Sequence, residues 1–436
     1  MKKRHGTLIS LDLEKAFDSV WINGLLWKLN NIGITGNVFG LIESFLRNRQ
    51  LFVEIGEYQS EKFRTQIGVP QGAVLSPLLF IIFVSEMFAG IEAEKFKFAD
   101  DGNLLISAST TTELHRNTEA ALQKFFQWCT KWRLKMNVDK TILVPINIDA
   151  GIIKSHKIGT EAVKIRDSCK ILGVTFDSKL TFKSHANCMK GRALHHFQTM
   201  DKLVGRKWGL SPKTLIRLFN QVLIPKVLYA APIWALKNLN ILNSSINKTV
   251  KQALGVPISS SNSMSEILAG TPPLVLSCET ITARFLKKVM QSNDDLRRCT
   301  LESQDKKVKQ DMVIMKDFEK ITQSERRDYS RADVTRYIEH KWNRRIKNSE
   351  QNALMPVQVN KVKMTTIAMP MSCPLEMQKT IHKILLDRCL NLANFAYQCS
   401  LVPSPNCQCH KAEETSRHFL FECRIQSSEI KYLPEP

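Results

Sequence analysis

Two strand-like runs that end in carboxylates constrain this chain more than any other feature. Residues 7–12 (Thr-Leu-Ile-Ser-Leu-Asp) read as a buried strand closing on Asp12. About ninety residues later, 94–99 and 103–107 read as strands around Asp100-Asp101-Gly102, a hairpin with acids at its turn. A layer of strands and helices that brings these runs to one edge gathers three carboxylates. Acids that close repel one another and are normally neutralised by cations. Hard oxygen ligands of this kind suit magnesium. Two such ions roughly 3.5–4 Å apart can activate a hydroxyl and stabilise a leaving pyrophosphate. An Asp-Asp-Gly turn is also ordinary surface chemistry, so the dipeptide alone leaves both readings open.

The intervening pattern is mixed. Residues 21–32 and 38–46 carry helical apolar spacing, with Gly33 and Gly36 between them, and 51–67 alternate like a hairpin. The apolar run 73–91 contains Ser76, Pro77, Ser85 and Glu86, so it reads as a buried helix opened by Pro77 and not as a membrane span. No transmembrane segment is expected. Residues 113–132 read as an amphipathic helix, and 141–147 and 169–176 as strands. The pattern then turns helical from Thr181 to about residue 292. Residues 293–330 are dense in charge and poor in apolar residues, so they read as a linker or mobile segment. Further helices are expected over 331–348 and 376–397.

Charge separates the two halves. Of 62 Lys+Arg and 41 Asp+Glu, residues 1–150 hold 17 and 16, which leaves 45 and 25 beyond them. A nearly neutral front precedes a strongly basic back, and a net charge of +21 points to a polyanionic partner or a solvated lysine-rich surface. Met1-Lys2-Lys3-Arg4 opens no signal peptide. Eight cysteines (129, 169, 188, 278, 299, 373, 389 and 399) lie in apolar or helical-looking stretches and read as buried, reduced thiols of an intracellular protein.

The other three cysteines form a pattern. Cys407-x-Cys409-x8-His418-x4-Cys423 puts three thiols and one imidazole in 17 residues, which suits a tetrahedral structural zinc. The one-residue gap between Cys407 and Cys409 is tight, so His410 stays open as an alternative ligand.

The segments around the acids resemble reverse transcriptases. Leu11-Asp12-Leu13-Glu14-Lys15-Ala16-Phe17-Asp18 resembles motif A, and Gly68-Val69-Pro70-Gln71-Gly72-Ala73-Val74-Leu75-Ser76-Pro77 resembles motif B. Phe98-Ala99-Asp100-Asp101 resembles motif C. Trp128, Trp132, Leu134, Asn137 and Asp139-Lys140-Thr141 resemble the motif D region, and Leu172-Gly173-Val174 the motif E primer grip. The closest flavour is the jockey-like non-LTR retrotransposon group, whose polyproteins end in a knuckle that 407–423 resembles. Asp12 and Asp18 together also suit RNA-dependent RNA polymerases, but Phe17 and a Phe-Ala-Asp-Asp motif argue against that class.

The resemblance implies an α+β fold: a palm with an antiparallel sheet and helices over 1–180, a thumb-like helical region over 181–292, a charged linker over 293–330, a helical region over 331–400 and a zinc knuckle over 401–425. It implies that Asp12, Asp100 and Asp101 hold two Mg2+ ions, with the Leu13 carbonyl also in reach. Phe17 occupies the steric-gate position that favours deoxynucleotides, or is a core residue. Gln71 and Gly72 meet nucleotide or template, or form a turn before the next helix. Lys140 gives a proton or charge to the leaving pyrophosphate, or is a surface lysine. Cys407, Cys409, His418 and Cys423 hold zinc. The implied partners are an RNA template, a DNA primer or target, and deoxynucleoside triphosphates, in the nucleus or a cytoplasmic ribonucleoprotein, with oligomeric state open. Motif A starts almost at residue 1, where the family has fingers and an endonuclease upstream, so the chain reads as a fragment, a degenerate copy or a late-starting gene product. Two functions follow: an RNA-directed DNA polymerase, or a retroelement-derived nucleic-acid-binding protein without catalysis.

Overall fold

A computed structural model describes all residues except 1–4, 149–155, 159–160, 203–208, 293–294, 325–327, 348–374, 387–391 and 424–436. It divides into two units, 1–182 and 183–436.

The first unit is built on a five-stranded sheet. Strand β1 (His5–Leu11) is followed by α1 (Ile22–Asn31) and α2 (Gly36–Leu46), then by two short strand pairs: β2 (Arg49–Leu51) with β5 (Phe63–Thr65), and β3 (Glu54–Ile55) with β4 (Tyr58–Gln59). Next come α3 (Ser76–Phe83), β6 (Glu94–Phe98), β7 (Asp101–Ala108), α4 (Thr111–Lys131) and β8 (Ile142–Ile146). Short strands β9 (Lys157–Ile158), β10 (Glu161–Ala162) and β11 (Lys164–Ile165) precede the hairpin β12 (Ser168–Ile171) and β13 (Val174–Asp177). The sheet order is β11-β8-β1-β7-β6. Its pairs are antiparallel apart from β11, which joins β8 in parallel, so the expected antiparallel sheet is mixed at one edge.

Alternation decides the two faces of this sheet. Ile9, Leu11, Leu104, Ile106 and Leu143 point into one core with Leu25, Leu29, Phe80, Phe83 and Phe125 from the helices. Leu8, Val144 and Ile146 point the other way and pack with Cys169 of the β12–β13 hairpin. That hairpin turns on Leu172-Gly173, with φ of 45° and 86°, between the paired Ile171 and Val174. Positive φ at both turn residues matches the right-handed twist of the strands. Helix α4 starts on the Thr110 hydroxyl, which accepts from the Glu113 N–H, and its apolar stripe Leu114, Thr118, Ala121, Leu122, Phe125 and Cys129 is buried.

The apolar run 73–91 departs from expectation. Only 76–83 is helical, and one face of α3 is open: Leu78 and Ile81 are each about half exposed and Val74 is 99% exposed. Pro77 sits in the first helical turn, as expected. The helix packs one face on α1, so an apolar sequence does not make it buried all round.

His156 is buried behind α4, its Nε2 3.0 Å from Nδ1 of His115. Burial, aided by His115, holds its pKa down from 6.5 to about 4. The folded state therefore binds fewer protons than the unfolded chain between those values, and stability falls as pH drops from about 6.5 to 4. The expected loss is about 2–3 kcal/mol. Urea melts of the wild type and of His156→Phe check it: the mutant should lack most of this acid slope.

The second unit is helical: α5 (Lys183–Asp201), α6 (Pro212–Leu218), α7 (Ile224–Val227), α8 (Ala231–Trp234), α9 (Leu239–Leu254), α10 (Asn262–Ala269), α11 (Leu274–Gln291), α12 (Asp295–Glu302), α13 (Lys306–Thr322), α14 (Arg331–Lys347), α15 (Leu375–Leu385) and α16 (Ala393–Gln398). The expected charged linker is corrected here, because its described residues include α12 and α13. Asp305 caps α13 by accepting from the N–H groups of Lys307 and Val308. Asp311, Met315, Phe318 and Thr322 form a buried stripe at helical spacing, and the Phe318 ring stacks on Tyr329 (4.3 Å) and Tyr337 (4.6 Å). Charge density hid a narrow stripe that suffices for packing once α11 and α14 supply the other wall. The helix expected over 376–397 is two helices, α15 and α16.

The cysteine expectation is also corrected. Cys129, Cys169 and Cys278 are buried, but Cys188, Cys299 and Cys399 are exposed. Cys188 and Cys299 sit on open helix faces, a placement that a mixed local sequence does not resolve. Cys373 and Cys389 lie outside the described residues. No helix among the described residues is long and apolar enough to cross a membrane.

Candidate active site and terminal metal-ligand cluster

The β1–β7 register brings the acids together. Leu11 pairs with Gly102, so Asp12 leaves the ladder opposite Asp101. Phe98 pairs with Asp101, and Ala99-Asp100 forms the turn between β6 and β7. Ala99 takes a left-handed φ of 53°, strained for a residue with a Cβ. Gly102 has no room for a side chain, since a Cβ there would lie 2.8 Å from the Phe88 ring and 2.7 Å from Met87. The core thus backs directly onto the acid turn. Asp101 has its carboxyl pKa raised, first by burial and then by the charges of Asp100 and Asp12. The three carboxylates share one field, as the sequence led us to expect.

A second segment is stitched to the exit of β1. Leu13 bridges to Met136, the Glu14 N–H donates to the Lys135 carbonyl (2.9 Å), and the Asn137 N–H donates to the Asp12 carbonyl (2.9 Å). The side chain of Asn137 accepts from the Lys140 N–H, and its carbonyl accepts from Thr141. These bonds fix Lys140 with its Nζ 3.7 Å from Asp12 Oδ2. Lys140 is thus beside the acids rather than elsewhere on the surface, although its side chain is 72% exposed.

The Gly68–Gly72 loop lies on the same edge. The Gly68 N–H donates to Val20 O and the Val69 N–H to Phe17 O. Gly68 has φ +82°, and a Cβ would meet the Asp18 carbonyl oxygen at 2.7 Å, so only glycine fits. Gly72 also has φ +82° but faces open space, which leaves room for another molecule to approach. Gln71 is exposed and donates to Asp18 Oδ1 (2.9 Å). Phe17 is half-buried, stacked on Phe80 at 4.5 Å. Its ring belongs to the core edge and still reaches the surface beside Asp18.

Sequence reasoning missed Arg49 and Lys28. The Arg49 guanidinium donates to the carbonyls of Gly68 (2.5 Å) and Ile67 (2.8 Å), which holds the loop in place. The buried Lys28 ammonium sits 3.9 Å over the Trp132 ring, donates to Phe83 O and lies 3.5 Å from Glu86. Burial lowers its pKa, offset by Glu86. Neither residue belongs to a motif quoted above, so only packing reveals them.

In the second unit, Cys407, Cys409, His418 and Cys423 converge, with their ligand atoms all within 4.8 Å of one another. Cys407 and Cys423 Sγ are 3.6 Å apart, and Cys409 Sγ is 3.1 Å from His418 Nε2. Tetrahedral Zn–S bonds of about 2.3 Å put two sulfurs roughly 3.8 Å apart, close to the first spacing. His410 is outside this group, in the turn where its N–H donates to Cys407 O. Burial, with its thiol neighbours, pushes the Cys407 thiol up to about 12. The Lys411 N–H leads in holding Cys409 down near 7. Among the described residues this is the one group of three or more such ligands gathered closely enough to grip an ion unaided.

Residues 1–176 match the reverse transcriptase (RNA-dependent DNA polymerase) family. The similarity to that family thus covers the sheet and the acids described above. The similarity extends further along the chain in several relatives from Drosophila melanogaster. A probable RNA-directed DNA polymerase from transposon BS is 27% identical over 68% of this chain and 33% of its own length. The RNA-directed DNA polymerase from mobile element jockey is 26% identical over 57% of this chain and 28% of its own. A probable RNA-directed DNA polymerase from transposon X-element is 26% identical over 54% and 26%. The chain thus matches between a quarter and a third of the length of these relatives. A telomerase from Candida albicans, solved with a fragment of telomeric RNA, aligns over 57% of this chain and 49% of its own at 12% identity, with a TM-score of 0.31, too low to carry an argument. The matched residues include Asp12, Asp100, Asp101, Phe17, Gln71, Gly72 and Lys140, while the Cys/His cluster lies outside them.

Proposed function

We propose that the chain acts in RNA-directed DNA synthesis for a jockey-like non-LTR retrotransposon, adding deoxynucleotides to a primer 3′-hydroxyl on an RNA template. The observation that carries this reading is the β1–β7 register, which sets Asp12 against the Asp100-Asp101 turn in a reverse transcriptase domain. The acids fit magnesium by their chemistry: three carboxylates offer hard oxygen donors, the charges of Asp100 and Asp12 add to burial in raising the Asp101 carboxyl pKa, and Lys140 lies beside Asp12. Asp12, Asp100 and Asp101 would hold two Mg2+ ions, which when bound activate the attacking hydroxyl and stabilise the leaving pyrophosphate.

The protein's own groups do the rest. Lys140, anchored through Asn137, supplies charge and a proton where pyrophosphate departs. Open space at Gly72 admits the nucleotide or template backbone, and Gln71 offers an amide beside it. Phe17 blocks a ribose 2′-hydroxyl. Phe17→Val should then raise ribonucleotide relative to deoxynucleotide incorporation by roughly tenfold, read as the ratio of the two kcat/KM values. An unchanged ratio would make Phe17 core packing alone.

The remaining assignments extend this reading. Residues 181–292 act as a thumb-like region that contacts the primer–template. Cys407, Cys409, His418 and Cys423 form a zinc knuckle. The work takes place in the nucleus, with a cytoplasmic ribonucleoprotein stage.

Primer extension on poly(rA)/oligo(dT) with Mg2+ tests the activity. Extension of the primer with deoxynucleotides supports the polymerase. Tight, salt-sensitive binding without extension would instead leave a nucleic-acid-binding protein without catalysis.

A further inference from the structure

A tryptophan cluster on the helical side of the first unit is unexplained by the reaction. Trp132, at the end of α4, is buried, with Trp27 of α1 at 5.9 Å and Trp21 at 6.5 Å between ring centroids. Trp27 is 58% exposed, so one large aromatic ring faces solvent. Gly24 shapes the floor: a Cβ there would strike the Trp21 ring at 2.4 Å, and its absence lets that ring lie against α1.

Cations flank the rings. Arg133 Cζ stands 4.3 Å from the Trp21 centroid and Lys131 Nζ 5.7 Å from that of Trp132. Both are exposed, and neither has an ion pair or side-chain hydrogen bond among the described residues. Helix α1 itself contains no acid. The nearby Lys28 is already satisfied by Phe83 O and Glu86 and adds no free charge.

Arg133 also occupies an unusual position. Its φ is +55°, its N–H donates to Thr130 O, and the Leu134 N–H donates to Cys129 O. This is a helix C-terminal turn in which glycine is the favoured residue. A bulky cation therefore sits where backbone energetics favour no side chain, and it is laid over an aromatic ring.

We propose that this face is a second nucleic-acid site, which takes a single strand by stacking a base on Trp27 and seating phosphates on Lys131 and Arg133. One exposed aromatic ring in a cluster flanked by cations suits a single strand, because each base offers a π-face and each linkage a charge. A duplex has its bases stacked internally and gains nothing from Trp27. An apolar protein segment would cover Trp27 but would leave the two cations unpaired. The site rests on residues 21–133 alone and is independent of the polymerase reading.

The test uses the full chain and fluorescently labelled oligonucleotides: single-stranded RNA, single-stranded DNA and a DNA duplex. Trp27→Ala should weaken single-strand binding roughly 5- to 100-fold, and Trp27→Phe should retain most of it. Neither should change duplex affinity. Lys131→Ala with Arg133→Gly should flatten the slope of log affinity against log salt by about 1.4 on single strands. Arg133→Gly should do so without lowering the melting temperature, since glycine suits that turn. Equal loss on RNA and DNA marks a backbone-and-base site, while loss on one alone assigns the site to that strand. Unchanged single-strand binding in Trp27→Ala, in a protein that still binds nucleic acid, would overturn the proposal. So would an equal loss on the duplex. Neither result bears on primer extension, which stands or falls by Asp12.

Discussion

Asp12→Asn and Asp100→Asn should each reduce primer extension at least 100-fold while leaving the fold intact. Asparagine keeps the shape of aspartate and removes its charge, so what is lost is the ability to hold magnesium. Removing one electrostatic contributor at a reacting centre typically costs about 10²–10³ in rate. The structure adds a second expectation. Burial first, and then repulsion from Asp100 and Asp12, raises the Asp101 carboxyl pKa. Neutralising one relieves that repulsion, so without magnesium the melting temperature should hold or rise slightly. Single-nucleotide incorporation, beside a thermal melt with and without Mg2+, separates these effects. Either the Asp12 or the Asp100 mutant working above a tenth of wild-type rate would remove that acid from the metal site.

The terminal cluster should take up one zinc per chain, and losing it should unravel residues 401–423. Among the side chains described there, the buried ones are the ligands Cys407, His418 and Cys423 with Ser416. Structural zinc in comparable small modules contributes about 10–16 kcal/mol of apparent binding energy at neutral pH. The effect should spread to α16. Glu414 accepts from the Ala393 N–H and Glu413 from the Asn394 amide, both at 2.7 Å, so the loop that carries the ligands also holds the start of that helix. Thiolates bind only when deprotonated. Cys407, pushed to about 12 without metal, must lose a proton on binding, so apparent affinity should fall as pH falls. Cys423→Ser and His418→Ala should weaken binding more than roughly 100-fold. His410→Ala should be nearly silent, because His410 stands outside the ligand group. Metal content by plasma emission, a tetrahedral cobalt spectrum and proteolysis of the 401–423 segment read these outcomes. A chain that binds no zinc at micromolar concentration under reducing conditions would return the cysteines to ordinary thiols.

The parts legible beforehand were those with a local signal. Strand β1 follows from an apolar run closing on an acid, the β6–β7 hairpin from two strand-like runs around a polar turn, and α4 from its amphipathic spacing. The ligand spacing of the terminal cluster was likewise visible, although sequence left His410 and Cys407 or Cys409 in competition. The misreadings share one cause. Composition averages over a segment, whereas packing needs only one face of it. The charged 306–322 helix was therefore taken for a linker, and the apolar 73–91 run for a wholly buried helix.

Sequence by itself determined which acids, glycines and thiols are present and in what order, because those are chemical identities with fixed spacing along the chain. Tertiary structure decided which of them meet. Pairing of Leu13 with Met136 brings Lys140 to Asp12, 128 positions away along the chain. Arg49 reaches across 19 positions to hold Gly68, and Gln71 across 53 to reach Asp18. Contacts at such separations form only after the sheet and helices have already paid the entropy of closing the loops between them. No local pattern encodes them, so they become visible only in the folded chain.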